Sequence, residues 1–166
     1  MMAAITGSMG SKMICPVVKA PRRMNARHWW ITRDGDPKCL EMYKRHYSRY
    51  QYKDGREPNL FVGPGEKLVL RTRDGDAFFV WRKFIDDSGE KGVNCAAFRN
   101  ESDIKSSELI RQACEIARVV WPDSRMYTFV NPGKVRSKNP GYCFLMAGWW
   151  RCQHRTKSGL IVFDTW

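Results

Sequence analysis

Three histidines occur in the 166 residues, His28, His46 and His154. Imidazole is the side chain whose ordinary pKa lies nearest neutral pH, so proton-transfer chemistry is sought there first. His46 stands in the run Arg45-His46-Tyr47-Ser48-Arg49. It falls at the end of a helix-like segment and off that segment's apolar stripe. In that position it is either a general base, a metal ligand or a solvated helix histidine. No ligand spacing accompanies it, so no metal is assigned. Tyr47 continues the stripe of Leu40 and Tyr43, which makes it a core or groove-lining aromatic, or a phenol acting beside His46. Tyr142 is a second phenol that could act as an acid, with a packed aromatic as the other reading.

A second constellation surrounds a basic loop. Asn131 and Asn139 bracket Lys134, Arg136 and Lys138. Each asparagine can bind a substrate amide, and Asn139 before a proline also reads as a helix N-cap. The three cations alternate without an acid nearby, a pattern that suits phosphate contacts as well as plain solvation. Arg49 adds a cation beside His46. Ser106 and Ser107 read first as caps of the helix they precede and secondarily as donor-binding hydroxyls. Arg82 lies on a strand, facing either a cleft or solvent. Trp149 and Trp150 point to opposite sides of their strand, so one belongs in the core and Trp150 is the candidate to stack on a base.

Bulk charge supports an anionic partner. Lys and Arg number 29 against 17 Asp and Glu, giving a net charge of +12. Such an excess draws in polyanions, nucleic acid above all. No acid occurs between Ser124 and Phe163. Six cysteines are widely spaced with no CxxC pair, as expected of reduced, buried thiols in a cytoplasmic protein. A zinc site from Cys143, Cys152 and His154 is disfavoured by spacing. No run is apolar enough to span a membrane and no signal-peptide core is visible, so no membrane partner is expected.

Local pattern supplies the elements that must position these groups. Residues 1–24 lack periodicity and read as a flexible N-terminal arm, with a single domain over 25–166. Asp36-Pro37 caps a helix over about 37–48. Strands are expected at Lys67–Arg71, Ala77–Phe84 and Val93–Phe98, the first pair joined at Asp74-Gly75. Apolar residues from Leu109 to Val120 recur with helical period after Ser106-Ser107, and Trp121-Pro122 ends that helix. Met126–Val130 is a strand, Asn139-Pro140 opens a short helix that stops at Gly148, and Trp149–Arg155 with Leu160–Phe163 forms a final hairpin. The class is α+β, a mixed sheet with a long helix after the central strand and a C-terminal hairpin.

That order resembles the GNAT acyltransferase fold, and Ala147-Gly148-Trp149 stands where that family has its Gly-aromatic step. The family's pyrophosphate loop, Arg/Gln-x-x-Gly-x-Gly/Ala, is not kept: Arg99 to Ser107 contains no glycine and two acids. Phe144 replaces the family's tyrosine acid, leaving Tyr142 as the nearest phenol. A narrower resemblance covers about residues 38–163. His46-Tyr47-Ser48-Arg49, Ser106-Ser107-Glu108-Leu109-Ile110 and the block from Val130 to Phe144 are similar to phage and prophage proteins related to Mom, a divergent GNAT group that modifies adenine.

The resemblance implies transfer of an acyl or carbamoylmethyl-type group to N6 of adenine in DNA, shielding it from restriction. DNA would then be the partner and the host cytoplasm the compartment, with the target base flipped onto aromatic walls. The acyl donor is unidentified; acetyl-CoA would have to bind without its usual loop. A non-catalytic nucleic-acid binder and a CoA-dependent small-molecule or protein N-acyltransferase are the alternatives.

Overall fold

The computed structural model describes residues 27–85 and 87–166; the expected arm over 1–24 lies outside the described residues. Ten elements follow in the order β1 (Trp30–Thr32), α1 (Pro37–Lys44), β2 (Glu66–Arg71), β3 (Ala77–Lys83), β4 (Val93–Asn100), α2 (Ser106–Val120), β5 (Met126–Val130), α3 (Tyr142–Met146), β6 (Trp150–Arg155) and β7 (Ile161–Thr165). All seven strands join one sheet in the order β1-β2-β3-β4-β5-β7-β6. Every pairing is antiparallel except β4 with β5. A mixed α+β sheet with a long helix after its central strand and a terminal hairpin is thus the architecture, as the sequence predicts.

Each face of the sheet is sealed by one apolar helix stripe. On the first, Leu109, Ile110, Ala113, Ile116 and Ala117 of α2 pack on Phe79, Trp81, Val93, Met126 and Phe163. Burying a Leu or Ile side chain stabilises by about 1.5–3 kcal/mol, so this stripe anchors the molecule. Two indoles also donate into α2, Trp29 Nε1 to the Leu109 carbonyl at 2.8 Å and Trp81 Nε1 to that of Ala113 at 3.0 Å. On the second face, Cys39, Met42 and Tyr43 of α1 cover Val69, Phe78, Val80 and Ala97. Asp36 caps α1 as expected, accepting from the Cys39 N–H at 3.1 Å with Pro37 opening the helix.

Local expectations are corrected at three helices, and one strand is added. Helix α1 stops at Lys44, not near residue 48, because the Arg45 N–H turns back to the Met42 and Tyr43 carbonyls. His46 and Tyr47 therefore lie in the turn after the helix, and the buried stripe is Cys39, Met42 and Tyr43. The N-cap of α2 is Lys105 rather than a serine, since the Ser106 hydroxyl already accepts from Asn100 Nδ2 at 3.1 Å. The N-cap of α3 is Gly141, not Asn139; the Asn139 carbonyl instead takes the Tyr142 N–H at 3.1 Å. Strand β1 has no sequence signature of its own and exists by pairing with β2, Trp30 opposite Arg71.

The decisive feature is where neighbouring strands separate. β4 and β5 pair only from Val93 to Cys95 against Met126 to Thr128. Beyond that point β4 follows β3 as far as Asn100, and β5 follows β7 as far as Val130. The register between β3 and β4 slips at Val80/Trp81, which leaves Ala96 as an extra residue. Such a bulge bends and twists its strand, which turns β4 away from β5 and opens a cleft.

Candidate functional site

The cleft between β4 and β5 has a volume of about 370 Å³. Ala96, Ala97 and Phe98 of β4 form one wall, Phe129 and Val130 of β5 the other, with Val135 and Phe144 completing the apolar lining. Its polar groups come from three places: His46, Tyr47 and Ser48 after α1, Asn94 and Thr128 on the strands, and Asn131 and Lys134 after β5. Phe144 of α3 is seated by Gly141, which has φ +83° and lies so close to the Phe163 ring that an added Cβ would come within 2.3 Å. Only glycine allows the chain to pass there.

His46 is buried, 8% exposed, so the reading of a solvated helix histidine is overturned. Its Nε2 lies 3.1 Å from the Phe98 carbonyl oxygen. A carbonyl only accepts, so Nε2 carries the proton, and Nδ1 of the neutral ring is the acceptor. Nδ1 takes the Ser48 N–H at 3.2 Å and faces the Ser48 hydroxyl at 2.8 Å. Burial, reinforced by the nearby charge of Arg99, pushes the imidazole down to about 4 against the hydrogen bond to Phe98. The ring is thus a neutral, weak base, and Ser48 Oγ links it to the open cleft.

Tyr47 stacks on His46 with ring centroids 4.7 Å apart and planes at 24°. Burial raises its phenol, opposed by the nearby Asn131 backbone. Tyr47, from the turn after α1, and Asn131, from the loop after β5, both line the cleft. The Asn131 side chain holds its own loop by accepting from the Gly133 N–H at 3.0 Å. Asn94 differs from every other lining group: its Oδ1 is buried without a hydrogen-bond partner among the described residues. An unsatisfied buried acceptor costs about 1–3 kcal/mol, which a bound N–H donor would relieve. Cys143 also faces the cleft, but burial raises its thiol above the ordinary range, so it is not a thiolate nucleophile.

The turn carrying His46 is braced through Glu101. Arg45 donates to it at 2.9 and 2.8 Å, and Arg99 also binds it. Those hydrogen bonds, Arg45 first, hold the Glu101 carboxyl down to about 2. One of the two acids that seemed to oppose anion binding before α2 is therefore neutralised locally. The loop itself is closed by Asn100, whose Oδ1 accepts from the Ser102 N–H at 2.9 Å and whose Nδ2 donates to the Ile104 carbonyl at 2.7 Å. The Ile104 N–H goes to Ser102 Oγ at 3.2 Å. The Glu101, Ser102 and Ile104 amides are thus engaged within the protein, and with no glycine in the loop it does not offer CoA pyrophosphate the family's glycine-loop cradle.

No protein-family model and no curated protein sequence matches this chain. Among solved structures, the crystal structure of an acyl-CoA N-acyltransferase from Pseudomonas aeruginosa aligns at 17% identity and a TM-score of 0.48, covering 83% of this chain and 98% of that one. A likeness so remote transfers neither residue roles nor activity.

Of the residues singled out in the sequence, His46, Tyr47, Asn131 and Lys134 meet in the cleft. Arg49 borders it through a depression shared with Arg45, Gln51 and Lys134. Arg136 and Lys138 are exposed on the loop after β5 and, like Lys134, make no ion pair among the described residues. The others lie elsewhere. Tyr142 is 54% exposed on α3, and Trp150 is 74% exposed on the edge strand β6. Arg82 donates to the Pro64 carbonyl at 2.6 Å and lies over the Phe84 ring. Ser106 and Ser107 form the first turn of α2, and Asn139 is exposed before α3. Trp149 is the core partner of the pair, stacked on Trp81. Ser48 and Asn94 carry no motif that flags them; only the convergence of the turn and the diverging strand reveals both. Cys143 lines the cleft, whereas His154 Nε2 pairs with Glu90 at 2.6 Å and Cys152 lies beside Arg125, and the three form no metal-binding group among the described residues.

Proposed function

We propose that the protein is a GNAT-like acyltransferase that modifies an exocyclic amine of a DNA base, adenine N6 in the reading its motifs favour. One observation carries this reading: the cleft where β4 leaves β5 holds a neutral His46–Ser48 pair and an unpartnered acceptor, Asn94 Oδ1, below a rim of unpaired cations. An aromatic amine needs those features. Asn94 would accept one N–H and orient the nitrogen lone pair toward the acyl carbon. As the C–N bond forms, the nitrogen becomes strongly acidic, so even a weak base can remove its second proton. Ser48 Oγ takes that proton while passing its own to His46 Nδ1, and the Phe98 carbonyl holds the resulting imidazolium by Nε2–H. The donor's leaving group then departs and receives the proton. The Tyr47 and Phe98 rings would hold the flipped base, with phosphates drawn to Arg49, Lys134, Arg136 and Lys138.

Mass spectrometry of nucleosides from DNA of cells expressing the protein tests the reading. A new modified deoxyadenosine is expected, absent with His46→Ala. Unmodified DNA would refute it. The closed loop before α2 favours a second reading, a nucleic-acid binder without donor chemistry. Salt-sensitive binding to unmodified DNA would support that instead.

A further inference from the structure

We propose that Tyr50, Tyr52 and Arg56 form a stacking subsite for an unpaired nucleobase neighbouring the one in the cleft, so that the protein grips a single-stranded or opened segment. The inference rests on the nucleic-acid reading above and extends it to how the flanking strand is held.

A separate pocket of about 290 Å³ lies on the segment after His46, lined by Tyr50, Tyr52, Arg49, Gln51 and Arg56 among others. Tyr50 is 63% exposed. Its ring meets that of Tyr52 edge to face, with centroids 4.9 Å apart and planes at 81°. The Arg56 guanidinium sits 4.2 Å from the Tyr52 centroid. The segment is anchored, because the Tyr50 N–H donates to the hydroxyl of buried Tyr43 at 2.9 Å. Gln51, in the amide orientation that satisfies it, accepts from Arg49 at 2.9 and 3.1 Å. Exposed aromatic faces and guanidinium planes at fixed positions are the surfaces on which bases stack without sequence readout.

Position decides the occupant. Arg49 and Gln51 also line the depression that contains His46, Tyr47 and Lys134, and those three line the cleft. One path therefore runs from the catalytic cleft past Arg49 and Lys134 to Tyr50 and Tyr52. Acids beside the path are paired: Glu57 with Lys44 at 2.7 Å and Asp54 with Arg56 at 3.3 Å. Cations in the middle with aromatics at both ends match a backbone carrying splayed bases.

The test is fluorescence anisotropy with a labelled short oligodeoxythymidylate and an abasic strand of equal length, using the full chain. Thymidylate offers no target adenine, so binding is read apart from modification. Wild type is expected to bind the thymidylate roughly tenfold or more tightly than the abasic strand. Tyr50→Ala/Tyr52→Ala should erase that difference while leaving the salt dependence intact. Tyr52→Leu, which keeps apolar bulk without a ring face, guards against loss of fold and should act in the same direction. Lys134→Ala/Arg136→Ala/Lys138→Ala should weaken both strands alike. Equal affinity of wild type for the two strands, or a base-dependent difference that survives the tyrosine variants, overturns the subsite. Absence of salt-sensitive binding to either strand overturns the nucleic-acid reading itself.

Discussion

His46 makes folding depend on pH in a range where the other perturbed groups are silent. The imidazole, ordinarily near 6.5, is pushed down to about 4 by burial. Below about pH 6.5 the unfolded chain binds a proton that the folded protein refuses until near pH 4. The stabilising preference for neutral His46 is therefore intact above the ordinary pKa and lost as pH falls. Between pH 7 and pH 5 the loss is about 2 kcal/mol, approaching about 3 kcal/mol near pH 4. Glu101, Glu90 and Asp36 are held below their ordinary values, so what they contribute is lost only at lower pH. Urea unfolding at steps from pH 7 to pH 5 reads the difference directly. His46→Gln, whose amide can still donate to the Phe98 carbonyl, should be less pH-dependent than wild type by about 2 kcal/mol over that interval. Parallel pH profiles for the two proteins would refute the buried, neutral imidazole and the proton path built on it.

Other expectations follow from single contacts. Ser48→Ala removes the link from His46 to the cleft and should lower product formation about a hundredfold, with unfolding free energy within about 0.5 kcal/mol of wild type because Ser48 is exposed. Asn94→Ala should abolish amine positioning yet leave stability unchanged or improved, since it deletes an unpartnered buried oxygen; a loss above about 2 kcal/mol in urea unfolding would contradict this. Gly141→Ala forces a Cβ toward the Phe163 ring at positive φ, and thermal melting should show a loss of about 2 kcal/mol or more. Asp36→Ala removes the α1 cap together with the bonds from Thr32 Oγ1 at 2.7 Å and Arg71 Nε at 3.2 Å; about 2 kcal/mol should be lost in calorimetry.

Local pattern by itself determined the elements whose cause is local. Helix α2 follows from its apolar period and the proline that ends it. The β2–β3 hairpin follows from Asp74-Gly75, and β5 from an apolar run closed by Asn131-Pro132-Gly133. Asp36-Pro37 announced the start of α1, and the tryptophan pair declared one buried member. The basic character of the loop after β5 was also legible, because charge needs no partner to be counted.

Tertiary structure decided everything that depends on separation and convergence. A bulge at Ala96 parts β4 from β5, and no residue type announces it, since it is a mismatch of register between two strands. Buried His46 acquires its neutral state from the packing that covers it and its tautomer from the Phe98 carbonyl 52 positions away, so its chemistry could not be read from its neighbours in the chain. Tyr142 and Trp150 have suitable chemistry but face solvent away from the cleft. Ser48 and Asn94, which carry no distinguishing motif, stand in the cleft because a turn and a diverging strand meet there. Residue types offered the chemistry, and the geometry of the opened sheet selected which of them can take part.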